Sequence, residues 1–248
     1  MNPKDYDKQV NWDRRLANEW PFYRELFERH RVSSILDCGC GTGRHAIFFS
    51  ARGFEVTGTD IDPLMIARAR ENAEREKSSA HFQVAAFSDL SRVFPTRRFD
   101  AVICVGNSLS LLPDMAAVQD SIVNFAAVCR STGLLVLHIL NYHSLLTKEM
   151  VAQPLRIAGT QDRREFFQKI FLPRRSQVDI ITVHLVDAGG EWSSEVSRGK
   201  LLPIEGDILD DLMLKAGFAD VTKRGDYAGQ TYEKGSSWDL IITAARTC

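Results

Sequence analysis

The 248-residue chain reads as an α/β protein built on a doubly wound, mostly parallel seven-stranded sheet with a small antiparallel β insertion after strand five. Three features predict this. Short apolar runs alternate with amphipathic helical stretches from Ile35 to Leu140, as in successive βαβ units. Between about 160 and 203 the helices drop out and three strand-like runs follow one another. After one more helix, two strands are joined by a loop alone, which reverses the last strand against its neighbours.

Taken in order, residues from about Tyr6 to His30 carry Trp12, Leu16, Trp20, Phe22, Leu26 and Phe27 at near-helical spacing. Pro21 predicts two helices or a kink. This segment, about 1–31, is either a helical cap on the core or a lid over a ligand mouth with Tyr6, Trp12 and Arg15 turned inward. Ile35-Leu36-Asp37-Cys38 is strand one. It runs into the loop Gly39-Cys40-Gly41-Thr42-Gly43, and a helix from Arg44 to Arg52 ends at Gly53. Phe54 to Asp60 is strand two, and Pro63 suits the first turn of a helix from Leu64 to about Lys77. Ala80 to Ala86 is strand three, and Phe99 to Val105, almost wholly apolar, is a strand four buried on both faces. A helix from Asp114 to Arg130, closed by Gly133, leads to strand five, Leu134 to Leu140. The insertion comprises Phe166 to Leu172, Gln177 to Asp187 and Glu191 to Leu202, with Ala188-Gly189-Gly190 as a hairpin signal. Gly206 to Ala216 is a helix; Ala219 to Lys223 and Asp239 to Arg246 are the last strands. The whole of 1–248 is expected to be one domain.

Composition narrows the function classes. Charges nearly cancel at −1, with 25% Asp, Glu, Lys and Arg, and no basic track or charged tail marks a nucleic-acid partner. Five cysteines (Cys38, Cys40, Cys104, Cys129 and Cys248) in no secreted-domain spacing predict free thiols in a reducing, cytoplasmic setting. Cys38 and Cys40 have no second Cys or His pair at ligand spacing, so no metal is expected. Met1-Asn2-Pro3-Lys4-Asp5 is not an apolar signal, and no run approaches the ~18 apolar residues of a membrane span. A homodimer is left open.

The chemistry centres on the glycine loop. Glycines between strand and helix let a ligand approach the backbone, and Asp60 at the tip of strand two can accept both hydroxyls of a ribose. Together they predict a pocket for a nucleoside-containing cofactor. The dinucleotide spacing would place a small residue where Arg44 stands. No lysine follows as a triphosphate loop requires. The pattern is instead an acid and three alternating glycines: Asp37, Gly39, Gly41 and Gly43.

In these residues the chain resembles class I S-adenosylmethionine-dependent methyltransferases. Ile35 to Gly43 is similar to their first motif, Thr59-Asp60-Ile61 to the second and Phe99 to Cys104 to the fourth, and the order of elements fits throughout. The resemblance implies a Rossmann-like methyltransferase fold, S-adenosyl-L-methionine as cofactor and S-adenosyl-L-homocysteine as product. It places Asp37, Gly39, Cys40 and Gly41 under the methionine and ribose, Asp60 on the ribose hydroxyls, and Ile61 and Met65 along the adenine. Cys104, Val105 and Gly106 then meet the methionine end. The acid that such enzymes often carry after strand three is missing at Ala85-Ala86-Phe87, so backbone at Ala86 and Phe87, or else Asp89, takes the adenine. Gly106-Asn107-Ser108 and Asn141-Tyr142 further resemble the glycine and sarcosine N-methyltransferase group. There an N-terminal segment closes over the cofactor, which implies the lid reading for Trp12 and Arg15.

Because the sulfonium already makes the methyl group reactive, the enzyme mainly needs in-line placement of the acceptor. A base is optional and depends on whether the acceptor must lose a proton. Asn107, Tyr142 and His143, just past strands four and five, are the candidates for handling the acceptor. His138 is more simply a core histidine, and His45 packs at a helix start. His184 and Arg198 on the insertion, with Tyr227 and Tyr232, are either surface residues or part of the pocket. The leading expectation is methyl transfer to an enclosed small-molecule acceptor, with an amine as one candidate. The alternative is a cofactor-binding regulatory or assembly module without transfer activity.

Overall fold

The computed structural model describes residues 3–247. Met1, Asn2 and Cys248 lie outside the described residues. Seven strands form one sheet: β1 (Ser34–Cys38), β2 (Glu55–Asp60), β3 (His81–Val84), β4 (Phe99–Cys104), β5 (Cys129–Leu140), β11 (Phe218–Arg224) and β12 (Asp239–Arg246). Their spatial order is β11-β12-β5-β4-β1-β2-β3. β1 pairs in parallel with both β2 and β4, β4 pairs in parallel with β5, and β12 is antiparallel to β5 and to β11. The chain therefore reverses its direction of winding between β1 and β4, and open α/β sheets bind ligands beyond the strand ends at such a switch point.

All five positions of β1 are buried, because helices cover both faces of the sheet. Alternate residues serve opposite layers. Leu36, Val102 and Leu135 pack with Val118, Ile122 and Phe125, while Ile35, Ile103 and Val136 pack with Phe27 and Phe49. The helices are α3 (Arg44–Ser50), α4 (Pro63–Arg75), α5 (Leu90–Val93), α6 (Met115–Val128), α7 (Tyr142–Leu145) and α8 (Gly206–Lys215), preceded by α1 (Pro3–Gln9) and α2 (Trp12–Arg29). No helix among the described residues is long and apolar enough to cross a membrane.

Two boundaries differ from the sequence reading. The N-terminal break falls at Asn11, not at Pro21. Asn11 caps α2, accepting the Arg14 N–H on its side chain and the Arg15 N–H on its carbonyl. Pro21 lies on the solvent face of an uninterrupted α2, where the carbonyl it leaves free can meet water. Helix α6 stops at Val128, and β5 already begins at Cys129. Residues between Cys129 and Leu134 bulge out of register with β4, and Thr132 takes a left-handed φ of 66°. Gly133 sits inside this bulge. A Cβ there would stand 2.7 Å from Cys129 Sγ, so it closes a tight loop and not a helix.

The insertion is larger than expected and starts earlier. It is a five-stranded antiparallel sheet: β6 (Val151–Ala152), β7 (Arg156–Gly159), β8 (Arg163–Pro173), β9 (Val178–Ala188) and β10 (Glu191–Leu201). Gly189 and Gly190, both left-handed, make the two-residue turn between β9 and β10. Strand alternation gives this sheet an inner face with Phe167, Lys169, Phe171, Ile180 and Leu201. Phe171, Val178 and Leu201 join the main core, and the Leu202 N–H donates to the Ser110 carbonyl. The sheet is thereby fixed above the ends of β4 and β5.

Candidate active site

Gly39, Gly41 and Gly43 all have positive φ. At Gly39 the conformation coincides with crowding, since a Cβ would lie 2.9 Å from the Ser108 Cβ and 3.2 Å from the Phe87 ring. The loop is held open by Asp60, whose Oδ2 accepts the Gly41 N–H and whose Oδ1 accepts the Asp62 N–H, both at 2.9 Å. Burial pushes the Asp60 carboxyl up, against these two backbone donors. Its oxygens keep further lone pairs for another donor. The Ala85 N–H donates to the Asp60 carbonyl, which brings Ala86 and Phe87 alongside. Ile61 stands 71% exposed next to Asp60, and Met65 follows in the first turn of α4. Asp89 instead pairs with Arg92 at 3.0 Å, away from this cluster.

Asp37 ends β1 beneath the loop. It is fully buried, its Oδ2 has no hydrogen-bond partner, and burial pushes its carboxyl up to about 6. Cys38, Cys40 and Cys104 are buried thiols whose pKa values are likewise raised by burial. Helix α2 sends Arg15 toward the same end of the sheet. Arg15 Nε donates to Glu19 Oε1 at 2.7 Å, and Glu19 Oε2 meets His45 Nε2 at 2.7 Å. Burial opposes the charge of Glu19, but His45 and Arg15 outweigh it and draw the carboxyl down to about 2. The guanidinium lies over the Trp12 ring and 3.7 Å from where a Gly106 Cβ would be. Trp12 Nε1 is buried without a hydrogen-bond partner.

Helix α1 packs over the loop. Asp7 accepts from Thr42 Oγ1 at 2.6 Å, Arg44 Nε at 3.1 Å, Arg68 Nε at 3.2 Å and Asn72 Nδ2 at 3.2 Å. On its other side, Lys8 Nζ pairs with Glu165 Oε1 of β8 at 2.8 Å. Tyr6 is placed 3.6 Å from the Cβ position of Gly41.

At Gly106 lies a cavity of about 740 Å³ between α2, the ends of β4 and β5, and the inner face of the insertion. Asn107, Arg15, His138, Tyr227, Lys169 and Arg156 line it. Asn107 is the one of the three acceptor-handling residues on its wall. Its Nδ2 donates to Tyr142 Oη at 2.9 Å, and its Oδ1 accepts the Leu140 N–H at 3.0 Å. Tyr142 is 1% exposed and off the wall, because the main chain turns into α7 just past β5 and buries the ring in the core. It braces Asn107 and cannot touch an acceptor. His143 points the other way, half exposed and 3.8 Å from Glu205.

Glu19, Arg156, Lys169 and Asp239 on the wall escaped the sequence reading, and the residues it left between core, surface and pocket separate as follows. His138 is not sealed in the core: its Nδ1 faces the Gly106 N–H at 3.4 Å. Its Nε2 lies 3.1 Å from Asp239 Oδ1, close enough for ion pairing but outside hydrogen-bond alignment. His184 is on the inner face, stacked on Phe167 and bonded to Glu165, while Arg198 lines a groove on the outer one. Tyr232 is structural, donating to Asn141 Oδ1. Strand parity separates inner from outer positions, but which parity faces inward depends on how the insertion docks.

This topology, with a glycine loop and an acid at the ends of β1 and β2, defines a Rossmann-like methyltransferase fold. Residues 35–133 match the family model described as a methyltransferase domain. The match, the relatives and the fold together support a class I S-adenosylmethionine-dependent methyltransferase. It is 28% identical over 227 residues to a glycine/sarcosine N-methyltransferase of Parasynechococcus marenigrum (strain WH8102), spanning 90% of this chain and 76% of that one. It is 35% identical over 132 residues to glycine N-methyltransferase of Rattus norvegicus, where the match spans 49% and 45%. In fold it is similar to a cofactor-bound amino pentose methyltransferase from Micromonospora echinaspora, with a TM-score of 0.76, 19% identity and coverage of 98% and 95%. The residues present suit S-adenosylmethionine. A partnerless carboxylate oxygen on Asp37 and the partnerless Trp12 N–H can each meet a polar ligand.

Proposed function

We propose that the chain methylates a small amine enclosed in the cavity, with the cofactor spanning from Asp60 to Gly106. Asp60 takes the ribose hydroxyls, Asp37 the cofactor ammonium and Arg15 its carboxylate. Ile61, Met65, Ala86 and Phe87 flank the adenine, while Gly39, Cys40, Gly41 and the backbone from Cys104 to Gly106 form the cradle. Helix α1, tied down through Asp7, acts as the lid. The observation that carries the reading is a roofed cavity that reaches Arg15, Gly106 and Asn107, where the methionine end of the cofactor is assigned. A roof of this kind suits a small molecule better than a polymer. The relatives named for glycine and sarcosine N-methylation support an amine.

The bound cofactor supplies an electrophilic methyl group on a sulfonium. The remaining work falls to the chain and is chiefly alignment, which can be worth up to ~7–11 kcal/mol for well-oriented partners. Asn107 has its Oδ1 taken by Ser110 Oγ and the Leu140 N–H and one Nδ2 hydrogen by Tyr142, which leaves a second Nδ2 hydrogen as a preorganised donor beside the methionine end. The apolar walls from Phe171, Leu140 and Leu201 exclude water from the amine lone pair. A neutral amine then needs no resident base to begin attack.

The test is mass spectrometry of the purified chain with S-adenosylmethionine and a panel of small amines, carboxylic acids and phenols. Formation of an N-methylated product with stoichiometric S-adenosylhomocysteine is expected. Cofactor binding without transfer to any member, or methylation of oxygen alone, would overturn the amine reading.

A further inference from the structure

His138 puts an imidazole on the cavity wall beside Gly106 and Asn107, and its two nitrogens sit in unlike surroundings. Nδ1 lies 3.4 Å from the Gly106 N–H, which is a donor, so Nδ1 is the unprotonated nitrogen there. The neutral ring then carries its proton on Nε2, which is buried and lies 3.1 Å from Asp239 Oδ1. The sheet itself sets this carboxylate. In the antiparallel pair of β5 and β12, His138 stands opposite Ile241 and Leu140 opposite Asp239, so His138 and Asp239 are diagonal neighbours on one face. The Gly106 contact is on the exposed side of the ring, hence Nδ1 is the nitrogen that a ligand in the cavity can reach. The His138 carbonyl also accepts the Asn107 N–H at 3.0 Å, which ties the ring to the residue placed beside the methionine end.

An imidazole held at one nitrogen by a carboxylate and open at the other is arranged to take up a proton. The cavity supplies a reason to do so. An alkylamine is mostly an ammonium at neutral pH and then has no lone pair for attack. Arg14, Arg15, Arg156 and Lys169 line the same space, and the cofactor adds a sulfonium, so a further positive charge on the acceptor nitrogen is costly. Glu19 does not relieve this, being bonded to Arg15 and His45. Tyr227 meets the His138 ring edge-on at 5.4 Å, and burial pushes its hydroxyl well above the ordinary range, so it stays neutral. Of these groups Asp239 is the anion set against the imidazole, and it makes His138 the place on the wall where a proton is best accommodated.

We propose that His138, with Asp239 as its positioning residue, takes a proton from the ammonium form of the methyl acceptor. This rests on the amine reading above and adds a base to it. One N–H bond of the ammonium breaks, and the electron pair stays on nitrogen for the incoming methyl group. The proton forms an Nδ1–H bond in place of the long Gly106 contact and leaves to water when the product departs.

The experiment joins a spectrum that needs no acceptor to a pH profile that does. In long-range proton–nitrogen NMR of the full chain saturated with S-adenosylhomocysteine, the His138 signal is assigned by its absence from His138→Gln. It should show the Nε2–H tautomer, and Asp239→Asn should let the Nδ1–H form appear. Initial rates are then followed with glycine, sarcosine and ethanolamine as probes. At neutral pH His138→Gln should lower kcat/KM by about a hundredfold, the low end for a positioned base. The deficit should shrink steadily as pH rises and fall within about threefold near the amine's own titration, at about pH 10, where free amine no longer needs the base. Asp239→Asn should lower kcat with little change in the KM for the amine, as expected of a group that orients the base without binding substrate.

An Nδ1–H tautomer in the wild type would overturn the proposal, even if His138→Gln does not fold. So would wild-type rates in His138→Gln. A deficit equal at every pH would make His138 a structural residue and sink the base alone, leaving N-methylation standing. Transfer to oxygen only, or to no probe at all, would sink the amine reading and the base with it.

Discussion

Asp37 combines a cost to the folded state with a use in binding. Its folded pKa of about 6 lies above the usual carboxyl value, so the ionised form burdens the apo protein. That burden is absent at low pH and grows as pH rises toward 6. Asp37→Asn should therefore raise apo stability at pH 8, by at most about 3 kcal/mol for a two-unit shift, read as a higher melting temperature. The same change should weaken S-adenosylmethionine binding. Wild-type affinity should itself fall as pH drops below about 6, and the variant should lose this dependence; a parallel pH profile would remove Asp37 from the cofactor site. Asp60→Ala is expected to lower cofactor affinity by about tenfold or more, the worth of charge-assisted bonds, with an unchanged circular dichroism spectrum. Tyr142→Phe should reduce turnover with little effect on cofactor affinity, because it loosens Asn107. Wild-type turnover would make the tyrosine purely a core residue.

At the level of elements, the glycine loop and α1 form one unit. Asp7 is gripped by donors from α3, α4 and the loop. Burial pushes its carboxyl up, yet the bonds from Arg44 and Thr42 prevail and hold it below the ordinary range. Asp7→Ala should free α1 and speed S-adenosylhomocysteine release in stopped-flow measurements. Global stability should change by less than about 1 kcal/mol, because α1 is a seven-residue surface element. An unchanged release rate would show that α1 does not gate the cleft. Asp7 was invisible as a candidate in the sequence, where it is one acid in a charged stretch. Its partners lie 35 to 65 positions away, and no local pattern joins them. Pro21 shows the converse error: a strong local breaker was overruled because its free carbonyl faces solvent.

For the molecule as a whole, one ligand touching α2, the loop and the ends of β1, β2 and β4 should stabilise the domain by mass action. S-adenosylhomocysteine at about 100 times its dissociation constant should add about 2.7 kcal/mol, seen as a rise in melting temperature that NAD does not give. The sheet, its reversed last strand and the glycine loop with Asp60 were legible in order along the chain, because each rests on local patterning: apolar runs, glycine conformations and short connections. A nucleoside-containing cofactor follows from those patterns, and the resemblance of the same motifs to class I methyltransferases names the methyl donor. The acceptor cavity was not legible, since Arg15, Asn107, His138, Lys169 and Asp239 come from five separated segments. Which face of the insertion they meet depends on docking that brings Leu202 to Ser110. Tyr142 sits beside Asn107 in that neighbourhood, yet the turn into α7 takes its ring into the core. The methyl donor is thus written in contiguous residues, because a strand–loop–helix builds its own cradle. The acceptor's charge and shape emerge when two sheets and a helix close on one another, because burial and the pairing of charges exist only between segments that folding brings together.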